Sequence, residues 1–267
     1  PLCPSICNTP SRPKLMLWFA SIASSALPAV FQNSAISKLG EIVAKEFNCQ
    51  PLIENDVNLI AVAEQIYGSG KNVSDFLVLS VGSGIGAGLV LNGKLHRGHR
   101  GAAGEIYYVP LGDPFDSQHA GTDPSGPHVI AYAQSLAPNY PDSRLKAPYE
   151  PVAIFEEARY KDPLALAIVA EVAKRIALYI ATMTAVVDVD LVVLGGGIGR
   201  QADVLLAEIQ AVVARLVPFA PRIEVSTLGE QASLLGGIAI GSKIAQDKVF
   251  AERSLAYQAA REMSEAG

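Results

Sequence analysis

From Ser37 onward the chain switches repeatedly between two hydrophobic periods. SKLGEIVAKEFN puts Leu39, Ile42, Val43 and Phe47 at helical spacing, an apolar stripe on an otherwise charged helix. QPLIEN is a short strand-like run that ends at Asn55-Asp56. DVNLIAVAEQIYGSG then returns to helical spacing, with Leu59, Val62, Ala63 and Ile66 on one face and Gly68 as its stop. The polar stretch Ser69–Asp75 is the best candidate boundary between two lobes, one spanning residues 1–74 and the other residues 75–267.

The second region begins with Phe76–Val81, a continuous apolar run suited to a buried strand. Glycines follow at 82, 84, 86 and 88, and Leu89-Val90-Leu91 leads into Asn92-Gly93, a tight hairpin signal. The Pro/Gly-rich span from Gly112 to Pro127 reads as a long loop. Leu164–Val187 is a long, largely apolar helix that fits a core or an interface. LVVLGGGIG, Leu191 to Gly199, is a strand running into a glycine loop. A helix through DVLLAEIQAVVARLV, a strand RIEVSTL and a helical region from Ala232 complete the chain. Strands alternating with helices predict an α/β fold on mixed sheets. The terminal helix is expected to return to the first lobe.

Composition narrows the functional classes. The 267 residues carry a formal net charge of −5, which leaves no electrostatic footprint for nucleic acid within this sequence. Three cysteines, Cys3, Cys7 and Cys49, are too few for a disulfide framework and suit a reducing, cytoplasmic setting. The segment Leu15–Phe31 is uncharged and loosely resembles the apolar part of a signal peptide, but its serines and Pro28 count against that and against a membrane span. No acidic residue precedes Glu41 and the chain opens on Pro1, so the N-terminal region is expected to be truncated, with the sequence disturbed upstream of about Ser34.

Two stretches carry candidate chemistry. In IENDVN, the acids around Asn55 interrupt an apolar region, either as a helix cap or because a carboxylate handles a ligand hydroxyl. In VGSGIGAGLVLNG, the glycines open a second strand rather than a helix, which argues against a dinucleotide fingerprint. Glycine amides in such a turn can approach a phosphate closely, or the glycines can serve only a tight bend.

In order along the chain come IENDVNLIAVAE, LSVGSGIGAGLVLNGKLHRGHRGAAGEI, VLGGGIG and LGEQASLLGGIAIG. This combination, over about Ser37 to Ser242, resembles the ROK family of bacterial sugar kinases and sugar-responsive transcriptional repressors. The resemblance implies an actin-like ATPase (ribonuclease H-like) two-lobed α/β fold, here with its N-terminal lobe incomplete. Asp56 matches the family's catalytic acid, the base that takes a proton from the phosphorylated sugar hydroxyl, and is expected to cap its helix as well. Asn55 and Glu105 match sugar-hydroxyl ligands. Gly82, Ser83, Gly84 and Gly86 match a phosphate loop, and Gly195, Gly196 and Gly197 match the loop near the nucleotide's adenosine.

The departures from the family pattern are internal. Family enzymes continue GEIGH into a cysteine-rich zinc segment, whereas this chain reads GEIYYVPLGD, with Tyr108 in place of the histidine and no cysteine in DPFDSQHAGTDPSG. His119 and His128 alone cannot supply four zinc ligands, so no zinc is expected and these read as solvated loop histidines. Tyr108 is a candidate to stack on a sugar ring or donate a hydrogen bond. The Asp-x-Gly-x-Thr phosphate loop near the family's N-terminus is also absent from this sequence. The resulting expectation is a sugar-sensing domain of a ROK-type regulator, reaching DNA only through a region outside this sequence. The alternative is an ATP- and Mg-dependent hexose or N-acetylhexosamine kinase with Asp56 as base. Either form is expected to be a homo-oligomer that binds a small-molecule sugar and no membrane.

Overall fold

The computed structural model describes residues 14–16, 29–48, 50–111 and 123–265. Its centre is a five-stranded mixed sheet in the order β5-β4-β3-β6-β7. β3 (Phe76–Val81), β4 (Ile85–Leu91) and β5 (Lys94–His96) form an antiparallel meander, and β6 (Leu191–Gly195) and β7 (Arg222–Val225) add in parallel beyond β3. The Asn92-Gly93 turn joins β4 to β5 with positive φ at both residues, 52° and 69°, as expected of a tight hairpin. A separate parallel pair links β1 (Lys14–Met16) to β2 (Gln50–Leu52).

The apolar runs of β3 and β6 are continuous because both faces of the sheet are covered. Leu77, Leu79 and Val81 of β3, with Val192 and Leu194 of β6, point into the core made with α5 (Pro163–Val187) and α7 (Ala202–Leu216). Phe76 and Val78, with Leu191 and Val193, point the other way onto Ala61 of α2 (Asp56–Tyr67). The alternation of side chains along a strand thus divides two strands between two helical layers. The Leu164–Val187 segment lies in the core: Ile168, Ile176 and Ile180 are fully buried, although Val186 is exposed. Asp162 caps α5, accepting from the Ala165 amide, the Ser143 hydroxyl and the Arg144 amide at 3.1, 2.8 and 2.7 Å. Burial pushes the Asp162 carboxyl up, but these hydrogen bonds outweigh it and hold the group below its ordinary value.

Several sequence expectations are corrected in detail. The first helix, α1, runs from Ala29 to Phe47, earlier than Ser37. The glycine loop after β6 folds into a single helical turn, α6 (Gly196–Gly199), and Gly195 is the last residue of the strand. In the loop expected over Gly112–Pro127, residues 112–122 lie outside the described residues, and α3 (Gly126–Leu136) already begins at its end, followed by a further helix, α4 (Pro151–Arg159). α8 runs from Ala232 to Glu265 and crosses α2 where Gly236 meets Leu59; a Cβ on Gly236 would stand 1.9 Å from the Leu59 carbonyl oxygen. Among the described residues, no helix is long and apolar enough to cross a membrane.

Candidate functional site

The N-terminal end of α2 carries the first group of candidate residues. Asn55, not Asp56, is the cap: its side-chain oxygen accepts from the Val57 and Asn58 amides at 2.8 and 3.1 Å. Asp56 is the first helical residue, and its carboxylate accepts from the Val57 amide at 3.0 Å. The division is physical, since the extended backbone of Asn55 (φ −64°, ψ 140°) aims its amide oxygen back over the first turn. Asp56 itself is partly buried at the helix end. Burial pushes its carboxyl above the ordinary value, while the amides of Val57 and of Asp56 itself draw it down.

Glu105 comes from the far side of the hairpin. It precedes a 3-10 turn, Ile106–Tyr108, pinned by the buried Ile106. Gly104 makes this placement possible. Its φ is +89°, its carbonyl accepts from the Ala87 amide at 2.8 Å, and a Cβ there would lie 1.8 Å from the Ala87 carbonyl oxygen. The Glu105 carboxyl is raised by burial first and then by the negative charge of Asp56, so the two acids lie within electrostatic reach of each other. Tyr107 and Tyr108 are exposed beside it and meet edge to face, with centroids 5.5 Å apart and planes at 82°.

Neighbours of this pair were not evident from the sequence. Glu54 accepts from Asn58 Nδ2 at 2.9 Å and from Arg97 Nε at 2.6 Å, tying the hairpin to the sequence just ahead of α2. The spacing of Glu54 and Asn58 was the only available sign of the first contact; the second joins residues 43 apart. Asn58 is buried, so its amide must be partnered, and Glu54 does this.

The glycine loops meet on the same side of the sheet. Gly82 closes the β3–β4 turn, its amide donating to the Gly84 carbonyl at 2.9 Å. Ser83 and Gly84 are exposed, and a Cβ on Gly84 would meet nothing within 4 Å. A Cβ on Gly82 would lie 3.6 Å from the Gly197 amide, so the two loops adjoin. Gly86 faces α2 instead, 3.2 Å from Val57 by the same measure, and packs the hairpin against the helix. Gly196, at φ +77°, is pressed against the Val81 carbonyl. Beside it a cavity of about 310 Å³ is lined by Gly196, Gly197, Arg200, Gly229, Glu230 and Ile60 among others.

Behind the turn stands a small polar cluster. Asp123, buried, accepts from the Ser125 amide at 2.7 Å and pairs with His128, which also contacts the Ser125 hydroxyl at 3.2 Å. The adjacent Gly126 amide donates to the Gly82 carbonyl at 2.8 Å. His128 is therefore a partnered residue of α3 rather than a solvated loop histidine. His119 lies outside the described residues. Among the described residues, no group of three or more His, Cys, Asp or Glu side chains could hold a metal ion.

The site is thus two half-buried carboxylates and an exposed amide at one end, and two adjoining glycine turns over a cavity at the other. A model of the ROK family matches residues 32–244. The N-acetylmannosamine kinase of Haemophilus influenzae (strain Rd KW20) is 32% identical over 183 residues, covering 68% of this chain and 60% of that protein. The xylose repressor of Caldicellulosiruptor bescii is 26% identical over 217 residues, covering 76% of this chain and 54% of the repressor. The chain therefore spans less than two thirds of the length of either relative. The structure of a ROK family glucokinase from Streptomyces griseus, in complex with glucose and AMPPNP, superposes with a TM-score of 0.68 at 25% identity, covering 77% of this chain and 72% of that one. With four-fifths of its length matched in this way, and the actin-like ATPase fold of these relatives, the chain belongs to the ROK family.

Proposed function

We propose that this chain is the sugar-binding part of a ROK-type transcriptional regulator, taking a hexose or amino sugar between Asn55, Asp56 and Glu105. The observation that carries the reading is the carboxylate pair: two acids from distant segments, half-buried and within electrostatic reach of each other, while the cation nearby, Arg97, is engaged by Glu54. Ionised carboxylates are acceptor-only groups, and sugar hydroxyls are the donors that satisfy several acceptors at once without bringing charge. Tyr108, in place of the family's histidine, supports a sensor whose sugar pocket is shaped without the enzymes' zinc segment. A regulator of this kind would reach DNA through a region beyond these 267 residues and would act as a homo-oligomer. The division into two lobes at Ser69–Asp75 belongs to the same proposal.

Calorimetry over a panel of hexoses and N-acetylhexosamines tests the site. One sugar is expected to bind, with at least a tenfold loss in Asp56→Asn or Glu105→Gln (about 1.4 kcal/mol per tenfold). No binding by any sugar would end the reading. A full-length form that binds operator DNA equally with and without that sugar would end its regulatory half.

A second reading, an ATP- and Mg-dependent sugar kinase, is favoured by one specific observation: the adjoining Gly82–Gly84 and Gly196–Gly197 turns beside the 310 Å³ cavity. The open face of Gly84 fits close approach of a phosphate, and the cavity at Arg200 and Gly229 fits the remainder of a nucleotide. Asp56 would then accept the proton of the attacking hydroxyl, a role suited to a carboxyl raised above its ordinary value. ADP release in a coupled assay over the same sugars, abolished by Asp56→Asn, would establish this reading in place of the first.

A further inference from the structure

We infer that Glu64 and Ser226 are positioning residues that join the cavity to the sugar site, so that a nucleotide bound in the cavity tightens sugar binding through α2 and the protein responds to the two ligands together. The inference rests on the reading of Asn55, Asp56 and Glu105 as the sugar site and adds to it a second ligand and the route between them. Three residues of α2 mark that route. Asp56, Ile60 and Glu64 recur every fourth residue of a continuous helix, so they follow one another along one side of it. Asp56 stands at the sugar end, Ile60 is a wall of the cavity, and Glu64 is a fully buried anchor. At about 1.5 Å per residue, the distance along the helix from Asp56 to Glu64 is about 12 Å.

The anchor is a buried carboxylate held by two neutral donors, the Ser226 hydroxyl at 2.5 Å and the Ser69 amide at 2.9 Å. A buried carboxylate deprived of a donor bears the desolvation of that oxygen in full, so the Ser226 contact resists loosening. Ser226 is in turn stitched to both walls of the cavity. Its amide donates to the Leu194 carbonyl at 2.9 Å, just ahead of Gly196, and its hydroxyl accepts from the Leu228 amide at 3.3 Å, next to Gly229 and Glu230. A ligand that shifts Gly196 or Gly229 therefore acts on Ser226 through one or two residues. Elsewhere α2 is packed against bare backbone: a Cβ on Gly88 would stand 2.6 Å from the Val57 carbonyl oxygen, and Gly236 is pressed as closely on Leu59. Contacts this close contain no side chain that can rotate to absorb a shift, so α2 moves as one body with Asp56 at its end. Once one ligand has ordered the segment from Ser226 to Gly229, less remains to be ordered for the other, and the coupling is positive in both directions.

The experiment is calorimetry of the chain with a panel of hexoses and N-acetylhexosamines, each titrated without and with saturating AMPPNP and magnesium. The sugar that binds is expected to bind about tenfold more tightly with AMPPNP present, and AMPPNP about tenfold more tightly with that sugar, since coupling is reciprocal. Ser226→Ala should reduce both factors to within about twofold of unity, while each ligand alone keeps its affinity within about threefold. Ser226→Thr, which keeps the hydroxyl, should retain the coupling. A merely structural Ser226 would change the unfolding midpoint or the two single affinities and leave their coupling unaltered. Should Ser226→Ala fail to fold, Glu64→Gln gives the same comparison, since it sets an amide nitrogen in place of one acceptor oxygen and its coupling should also fall. Equal sugar affinity with and without AMPPNP, no binding of AMPPNP, or full coupling in the variants would overturn the inference and leave the Asp56–Glu105 site standing. Failure of every sugar to bind would instead overturn the reading on which it rests.

Discussion

The Ser226 hydroxyl, just after β7, donates to the Glu64 carboxylate of α2 at 2.5 Å, across 162 residues of chain. Glu64 is fully buried, and its second oxygen accepts from the Ser69 amide at 2.9 Å. One end of α2 is thereby locked to the segment that leads to Gly229 and the cavity, while its other end carries Asn55 and Asp56. The helix is a rigid link between the two parts of the site.

Breaking that lock has a defined cost. Ser226→Ala leaves one oxygen of a buried carboxylate without its donor, and the loss of stability is expected to be about 1–3 kcal/mol. Denaturant unfolding of the variant against the parent measures it. Glu64→Gln, which preserves shape and can still accept, should cost less than Glu64→Ala; equal costs would show that the hydrogen bonds contribute nothing beyond packing.

The Asp56–Glu105 pair gives a pH signature of opposite sign in stability and in binding. Both carboxyls are raised above their ordinary values of 3.8 and 4.5, so the folded state holds these protons more tightly than the unfolded chain does. Their favourable contribution is fully present below the ordinary values and is lost as pH rises through the raised ones. Asp56→Asn with Glu105→Gln should therefore gain stability relative to the parent as pH rises from about 4 to about 7, read as a difference in unfolding midpoints. Sugar affinity should move the other way, weakening as acidification protonates the acceptors.

Gly104→Ala tests whether backbone geometry places Glu105. The new methyl would sit 1.8 Å from the Ala87 carbonyl oxygen at a φ of +89°, so either the turn or β4 must move. We expect a stability loss of about 2 kcal/mol or more from overpacking and a strained backbone, together with loss of sugar binding. Gly101→Ala, at φ +75° with open space around its Cβ, is the control: it carries the backbone strain without the clash and should retain more binding.

The Asp123–His128 cluster is expected to steady the glycine turn through Gly126. Asp123→Asn keeps an acceptor for the Ser125 amide but loses the charge that faces His128. Hydrogen exchange at the Gly126 amide, which donates to the Gly82 carbonyl, should accelerate in Asp123→Asn and in His128→Ala. Unchanged exchange in both would show that the turn holds without the cluster.

Local patterns were legible wherever a local cause forms them. The Asn92-Gly93 turn was visible because both positions need a backbone that Asn and Gly adopt readily. The buried strands β3 and β6 were visible because burial on both faces makes them continuously apolar. The cap of α2 was read one residue late: Asp and Asn both cap well, and adjacent in sequence they differ only in the backbone conformation the fold imposes. The helical turn at Gly196–Gly199 was missed because glycine's own propensity opposes helix, and packing against Val81 overrides it.

By itself, then, the sequence determined several of the long helices and the buried strands, which residues carry acceptors and which turns need glycine, since these depend on side-chain chemistry and spacing within a few residues. Only the tertiary structure decided what those groups meet. Glu105 comes within reach of Asp56 because the β3–β4 hairpin packs through Gly86 and Gly88 against α2. Arg97 finds Glu54 and Ser226 finds Glu64 through contacts set by sheet order and layer packing. Such pairings leave little trace in one sequence, because a carboxylate looks the same whether its partner is water, a neighbouring amide or a side chain 162 residues away.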